Sequence, residues 1–116
     1  MNKRTQGTKG EDLAVAYLRK KGYRILDRNY RFERGEIDIV AEDNDALVFV
    51  EVKARRSKAF GDPEDAVTES KQRQIKNVAE GYLFEHNIDD KECRFDVIAI
   101  DFEGNRTTIR HLEDAF

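Results

Sequence analysis

Three residues in "GEIDIVAEDNDALVFVEVKAR" (35–55) have the types and spacing to do chemistry: Asp38, Glu51 and Lys53. The stretch reads as two apolar strands joined by a turn, and these charges interrupt runs of Val, Ile and Leu. Side chains alternate across a strand, so Glu51 and Lys53 share one face while Val50, Val52 and Ala54 can pack on the other. Pairing across the turn can bring Asp38 beside Glu51. Two carboxylates held together repel, so the fold must leave one protonated or demand a cation. A hard divalent ion, Mg²⁺ or alternatively Mn²⁺, takes oxygen ligands, and Mg²⁺ keeps several waters, so it suits two carboxylates without a full cage. A lysine beside it can position or help deprotonate a water and stabilise charge building on a phosphate. The chemistry is metal-assisted hydrolysis of a phosphodiester. A plainer reading is an ion pair of Lys53 with Glu51 or Asp38 on a sheet edge. Acid-x-Lys alone is common. Its place at the end of the most apolar strand, with Asp38 one hairpin back, is what raises it.

The elements that must position these residues follow from pattern. "TKGEDLAVAYLRKKG" predicts a helix. Thr8 and Glu11 have capping-box spacing, Leu13, Ala14, Tyr17 and Leu18 form the buried stripe, and Gly22 follows Lys20 and Lys21 as a stop. "YRILDRNYRF" and "EIDIVAE" predict two strands, "EDND" a turn, and "ALVFVEVKAR" a central strand. "SKAFGDPEDA" reads as a loop. From about Thr68 to His86, Ile75, Val78, Ala79, Tyr82 and Leu83 recur at helical spacing, with Gly81 as a point of close packing. "CRFDVIAID" predicts a buried strand, "EGN" a turn and "RTTIRHL" an edge-like strand. The order α-β-β-β-α-β-β implies an α/β sandwich with a mixed β-sheet flanked by α-helices.

At 116 residues the chain is expected to form a single domain (1–116) with one modest core. No apolar run is long enough to cross a bilayer, and "MNKRTQGTKGED" lacks the hydrophobic centre of a signal peptide, so the expected location is cytoplasmic. Cys93 is the only cysteine, and His86 and His111 are far apart, which excludes an internal disulfide and gives no zinc spacing. Net charge is -3, yet it is uneven. Residues 1–58 carry 14 Lys/Arg against 10 Asp/Glu, net +4, and residues 59–116 carry 7 against 14, net -7. Phosphate binding needs a local basic patch and not a basic protein. One candidate cluster is Arg19, Lys20, Lys21, Arg24, Arg28, Arg31 and Arg34, and another is Lys53, Arg55, Arg56 and Lys58. Solvated ends of helices and strands are the alternative for each of them. The residues selected for nucleic-acid contact are Arg34, Arg55, Arg56, Lys58 and Lys71.

Asp38 followed after a turn by "EVK" resembles the PD-(D/E)xK signature of restriction-endonuclease-like nucleases. More closely, "GEDLAVAYLRKKGYRIL", "RGEIDIVA", "VFVEVKAR", "AVTESKQRQI" and "RFDVIAI" resemble the YraN-like family of uncharacterised bacterial proteins, across nearly the whole chain. That family is similar in fold to archaeal Holliday-junction resolvases, and its members are predicted endonucleases. The resemblance implies a restriction-endonuclease-like sheet, with Asp38 and Glu51 on the metal and Lys53 beside the attacking water. It also implies Glu11 as a first-helix metal ligand and Gln72 as a second-helix catalytic residue. The signature's proline is absent, since Ile37 precedes Asp38, and Lys76 stands where some relatives carry an aromatic. Glu36 shares the face of Asp38 as an extra acid or a solvated turn residue. Asp96 interrupts a buried strand and is expected to pair with a basic group.

The leading function is therefore a Mg²⁺-dependent DNA endonuclease, selective for branched or junction DNA. A non-catalytic DNA-binding or adaptor module that keeps the fold is the alternative, and a purely structural or protein-interaction domain is a third. Cutting both strands of a duplex takes two active sites, which points to a homodimer.

Overall fold

A computed structural model of the chain describes residues 6–56 and 67–116. Seven elements follow one another: α1 (Gln6–Lys20), β1 (Arg24–Phe32), β2 (Gly35–Asp43), β3 (Ala46–Arg55), α2 (Glu69–Glu85), β4 (Cys93–Glu103) and β5 (Arg106–Leu112). The strands form one sheet in the order β1-β2-β3-β4-β5. Neighbours are antiparallel except β3 and β4, which run parallel from Leu47 opposite Cys93 to Arg55 opposite Asp101. A parallel pair needs a long crossover, and α2 lies within it. The observed sheet is thus the mixed α/β arrangement expected from the pattern, with β3 central and β5 at an edge.

The helices cover opposite faces. Ala14, Val15 and Leu18 of α1 pack with Ile39, Ala41, Val48, Val50, Ile98 and Ile100, and Val52 and Ala54 join this side. Ile75, Val78, Ala79 and Tyr82 of α2 pack with Tyr30, Ile37, Val40, Leu47, Phe49 and Val97 on the other. Because β3 is covered on both faces, its two sets of alternating residues are both apolar until Glu51. Thr68 caps α2 by accepting the N–H of Lys71 at 3.2 Å. Gly81 is buried where α2 crosses Phe32, and a Cβ there would run into that ring.

The start of α1 differs from its signal. α1 starts at Gln6, so Thr8 lies within the helix and not at its cap. The capping-box spacing is a local cue, and the helix extends past it because Gly10 is buried against Ala54 of β3, giving the first turns a surface to pack on. Lys58 and most of the loop between β3 and α2 lie outside the described residues. Among the described residues, no helix is long and apolar enough to cross a membrane.

Candidate active site

The site forms where β2 and β3 part. Their pairing runs from Asp43 opposite Ala46 to Ile39 opposite Val50, and ends there, while β2 stays paired to β1 as far as Gly35. Ile37 packs on the α2 side and Ile39 on the α1 side, so alternation breaks at Asp38. Across from it, Asn29 of β1 adopts φ 53°, a left-handed kink that Asn tolerates better than most residues. Asp38 Oδ2 accepts the N–H of Val52 at 2.8 Å. The carboxylate thus binds an amide beyond the last β2–β3 bridge, and Asp38 stands beside Glu51.

Glu51 is only 5% exposed, at the end of the apolar run. Burial, followed by the negative charge of Asp38, pushes its carboxyl up to about 7, while Lys71 and Lys53 pull the other way. Asp38 is also raised, first by burial, with the Val52 amide opposing. The two carboxyls are close enough to share a hydrogen bond. Lys53 Nζ lies 3.5 Å from Glu51 Oε2 and Lys71 Nζ 3.8 Å from the same oxygen. A desolvated acid pair of this kind holds a proton towards neutrality or accepts a cation.

Glu11 comes near without joining the pair. Its carboxyl is raised by burial and then by Asp38, while a hydrogen bond from Asn29 opposes this. Arg28 stands 3.9 Å from it and is bonded more closely to Asp12 at 2.7 Å. Among the described residues, no group of three His, Cys, Asp or Glu side chains is assembled to hold a metal. Gln72 donates its amide to Val67 O at 3.0 Å, at the start of α2. Lys71 is the α2 residue in contact with Glu51. One turn before buried Ile75, it lies near the helix's inner edge, a placement the helical spacing allowed. Glu36 pairs with Arg31 at 3.3 Å and is half-buried.

The basic residues divide. Arg34 and Arg56 are exposed. Arg55 Nε bonds buried Asp101 at 2.8 Å, its direct partner across the parallel ladder. In the first cluster, Arg24 pairs with Glu42 at 2.8 Å and Lys21 with Glu113 at 3.5 Å. Asp96 is fully buried and held by Arg94 at 2.9 Å, His111 at 2.7 Å and the amide of Asp114 at 3.0 Å. Its basic partner was expected, but His111 was not. The partner arrives from β5, where Ile98 stands opposite His111.

The profile of the uncharacterised protein family UPF0102 matches residues 10–100, a span that includes every acid and lysine of this site. A UPF0102 protein of Alkaliphilus oremlandii is 52% identical over the whole of both chains. UPF0102 proteins of Geobacter metallireducens and Persephonella marina are 48% and 46% identical, covering 100% and 96% of this chain and 95% and 92% of the relatives.

Proposed function

The chain belongs to the uncharacterised protein family UPF0102, and with that membership as premise we propose that it is a Mg²⁺-dependent DNA endonuclease. The observation that carries this is the desolvated Asp38–Glu51 pair, with two ammonium groups on Glu51, in the gap between parting strands. The donor set fits a hard cation: it is all oxygen, and two carboxylates leave room for the waters Mg²⁺ retains. Asp38, through the oxygen not bonded to Val52, and Glu51 would hold the ion. Glu11 would have to leave Asn29 and Arg28 to contribute. Bound there, a divalent ion supplies Lewis-acid polarisation of a phosphodiester and makes water a usable nucleophile at neutral pH. Mn²⁺ would serve as an alternative ion.

Lys53 places its charge within reach of the same space. It orients a water and stabilises charge developing on the phosphate, and Lys71 neutralises Glu51 from the helix side. Arg34 and Arg56 would meet flanking phosphates, with Lys58 beyond the described residues as a further candidate. We place the activity in the cytoplasm, on branched or junction DNA, with a homodimer supplying two sites where both strands are cut.

The test is cleavage of junctions, flaps, single strands and linear duplexes with Mg²⁺ or Mn²⁺. Wild type should cut. Lys53→Ala should cut at least about a hundredfold more slowly, because a group stabilising transition-state charge is worth several kcal/mol. It should keep metal binding, measured by calorimetry, and most DNA affinity. Lys53→Arg should restore binding but not turnover, since the guanidinium is not a compact ammonium. The second reading, a non-catalytic DNA-binding module, is favoured by one observation: Lys53 and Lys71 already balance Glu51 without a cation. DNA binding with no metal-dependent cleavage, and Lys53→Ala indistinguishable from wild type, would decide for it.

A further inference from the structure

The tip of the β1–β2 hairpin stands against α2, and between them lies a cleft of about 560 Å³. Glu33, Arg34 and Gly35 form one wall, and Gln74, Asn77 and Val78 the other. Gly35 is what lets the walls meet. A Cβ there would run into Val78 Cγ2 and come within 3.1 Å of Gln74 Cγ, so the hairpin backbone lies directly on the helix side chains. Asn77 Nδ2 reaches Glu33 Oε1 at 3.5 Å across the cleft. Lys71, whose ammonium touches Glu51, is one turn before Gln74. Lys71, Gln74 and Asn77 therefore follow one another along an oblique stripe of α2, advancing roughly 4.5 Å and turning about 60° per step. That stripe runs from the acid pair into the cleft.

The lining has the chemistry of a nucleic-acid strand. Exposed Arg34 offers a guanidinium fork that suits a phosphate. Gln74 and Asn77 carry adjacent donors and acceptors, as base edges do. Glu33 would repel a phosphate but accepts readily from a base amino group, so it favours bases turned towards the hairpin. Val78, fully buried against Gly35, closes the base of the cleft. The volume falls within the roughly 300–1,000 Å³ of small-ligand clefts, room for one or two nucleotides, and the pairing edges of bases are free to meet such side chains only in an unpaired strand.

We propose that this cleft binds an unpaired DNA strand next to the bond cut at the acid pair, so that the substrate class is DNA with a single-stranded arm. The placement of the cut rests on the nuclease reading; the strand binding does not. Fluorescence anisotropy on the full chain in EDTA, with a short labelled single strand and a blunt duplex of two complementary strands, tests it apart from cleavage. Wild type should prefer the single strand. Arg34→Gln combined with Gln74→Ala should lower that affinity about tenfold or more, and Asn77→Ala should lower it less. All three side chains are exposed, and an unchanged denaturation midpoint would show that the fold is intact. Preference for the blunt duplex, or variants that bind the single strand like wild type, would overturn the proposal. If the variants lose strand binding while no substrate is ever cleaved, the strand site stands and the nuclease reading falls. If wild type and variants cleave flaps alike, the nuclease reading stands and the strand site falls.

Discussion

At the scale of single residues, Glu51 is a buried acid whose neighbour is another carboxyl, that of half-buried Asp38. The folded protein binds their proton more tightly than the unfolded chain does. Stability from this source is complete below the ordinary Glu value of 4.5 and is lost as pH rises through about 7. In metal-free buffer the unfolding free energy should therefore decline between those values, by on the order of 1–3 kcal/mol. Glu51→Gln should remove most of that decline, be neutral or mildly stabilising in EDTA near neutral pH, and weaken Mg²⁺ binding. Denaturant titrations at several pH values, paired with calorimetry, read both effects. A flat profile in wild type would mean that the two carboxyls do not share a desolvated site. Metal binding below pH 7 should also release protons, because the carboxyls must ionise to bind it.

At the scale of elements, the contrast is Asp96. Burial works to raise its carboxyl, but His111, Arg94 and the Asp114 amide outweigh it and hold it below the ordinary value of 3.8. Its contribution is present above that value and is lost as pH falls, opposite in sign to Glu51. Arg94 also bonds Asp43 at 3.2 Å and Tyr23 at 2.7 Å, so this one acid ties β4, β5 and the chain end to the α1 side. Asp96→Ala takes the buried acceptor from His111 Nε2 and the Asp114 amide and should cost about 3–5 kcal/mol, measured by chemical denaturation. A loss as small as that of Glu51→Gln would contradict a structural role. Gly35→Ala should cost about 1–3 kcal/mol, because the hairpin tip must lift from Val78. It should also loosen the cleft beside α2.

For the whole molecule, the uneven charge distribution means that the proposed DNA affinity would depend on position and salt more than on net charge. Each neutralised phosphate contributes a slope of roughly -0.9 in log affinity against log salt. Arg56→Ala should flatten the slope by about that amount if Arg56 meets a phosphate, and an unchanged slope would place the DNA elsewhere. Arg55→Ala should instead lower stability, because Arg55 holds buried Asp101. Read along the chain, Arg55 and Arg56 are equivalent basic residues. Only the parallel register, which sets Arg55 opposite Asp101, separates a structural ion from a surface one.

Much was legible without coordinates. A run of β-branched and aromatic residues marked β3 residue for residue, the stretch after the "EGN" turn did the same for β5, and the other strands fell within two residues, because a strand covered on both faces leaves a continuous apolar record bounded by turns. The interruptions at Asp38, Glu51 and Lys53 were equally visible, since charge in an apolar strand stands out locally, and hairpin arithmetic set Asp38 near Glu51. The sequence by itself thus determined the element order and the acid pair. Tertiary structure decided the rest. The break at Asn29 and Asp38 depends on packing to both helices. The turning of Gln72 to Val67 and of Lys71 to Glu51 depends on how α2 is seated. The partnership of Asp96 with His111 depends on a strand pairing between residues distant in the chain. Local pattern records which face a residue needs, whereas contacts between elements are set by register and docking, which no short stretch of residues encodes.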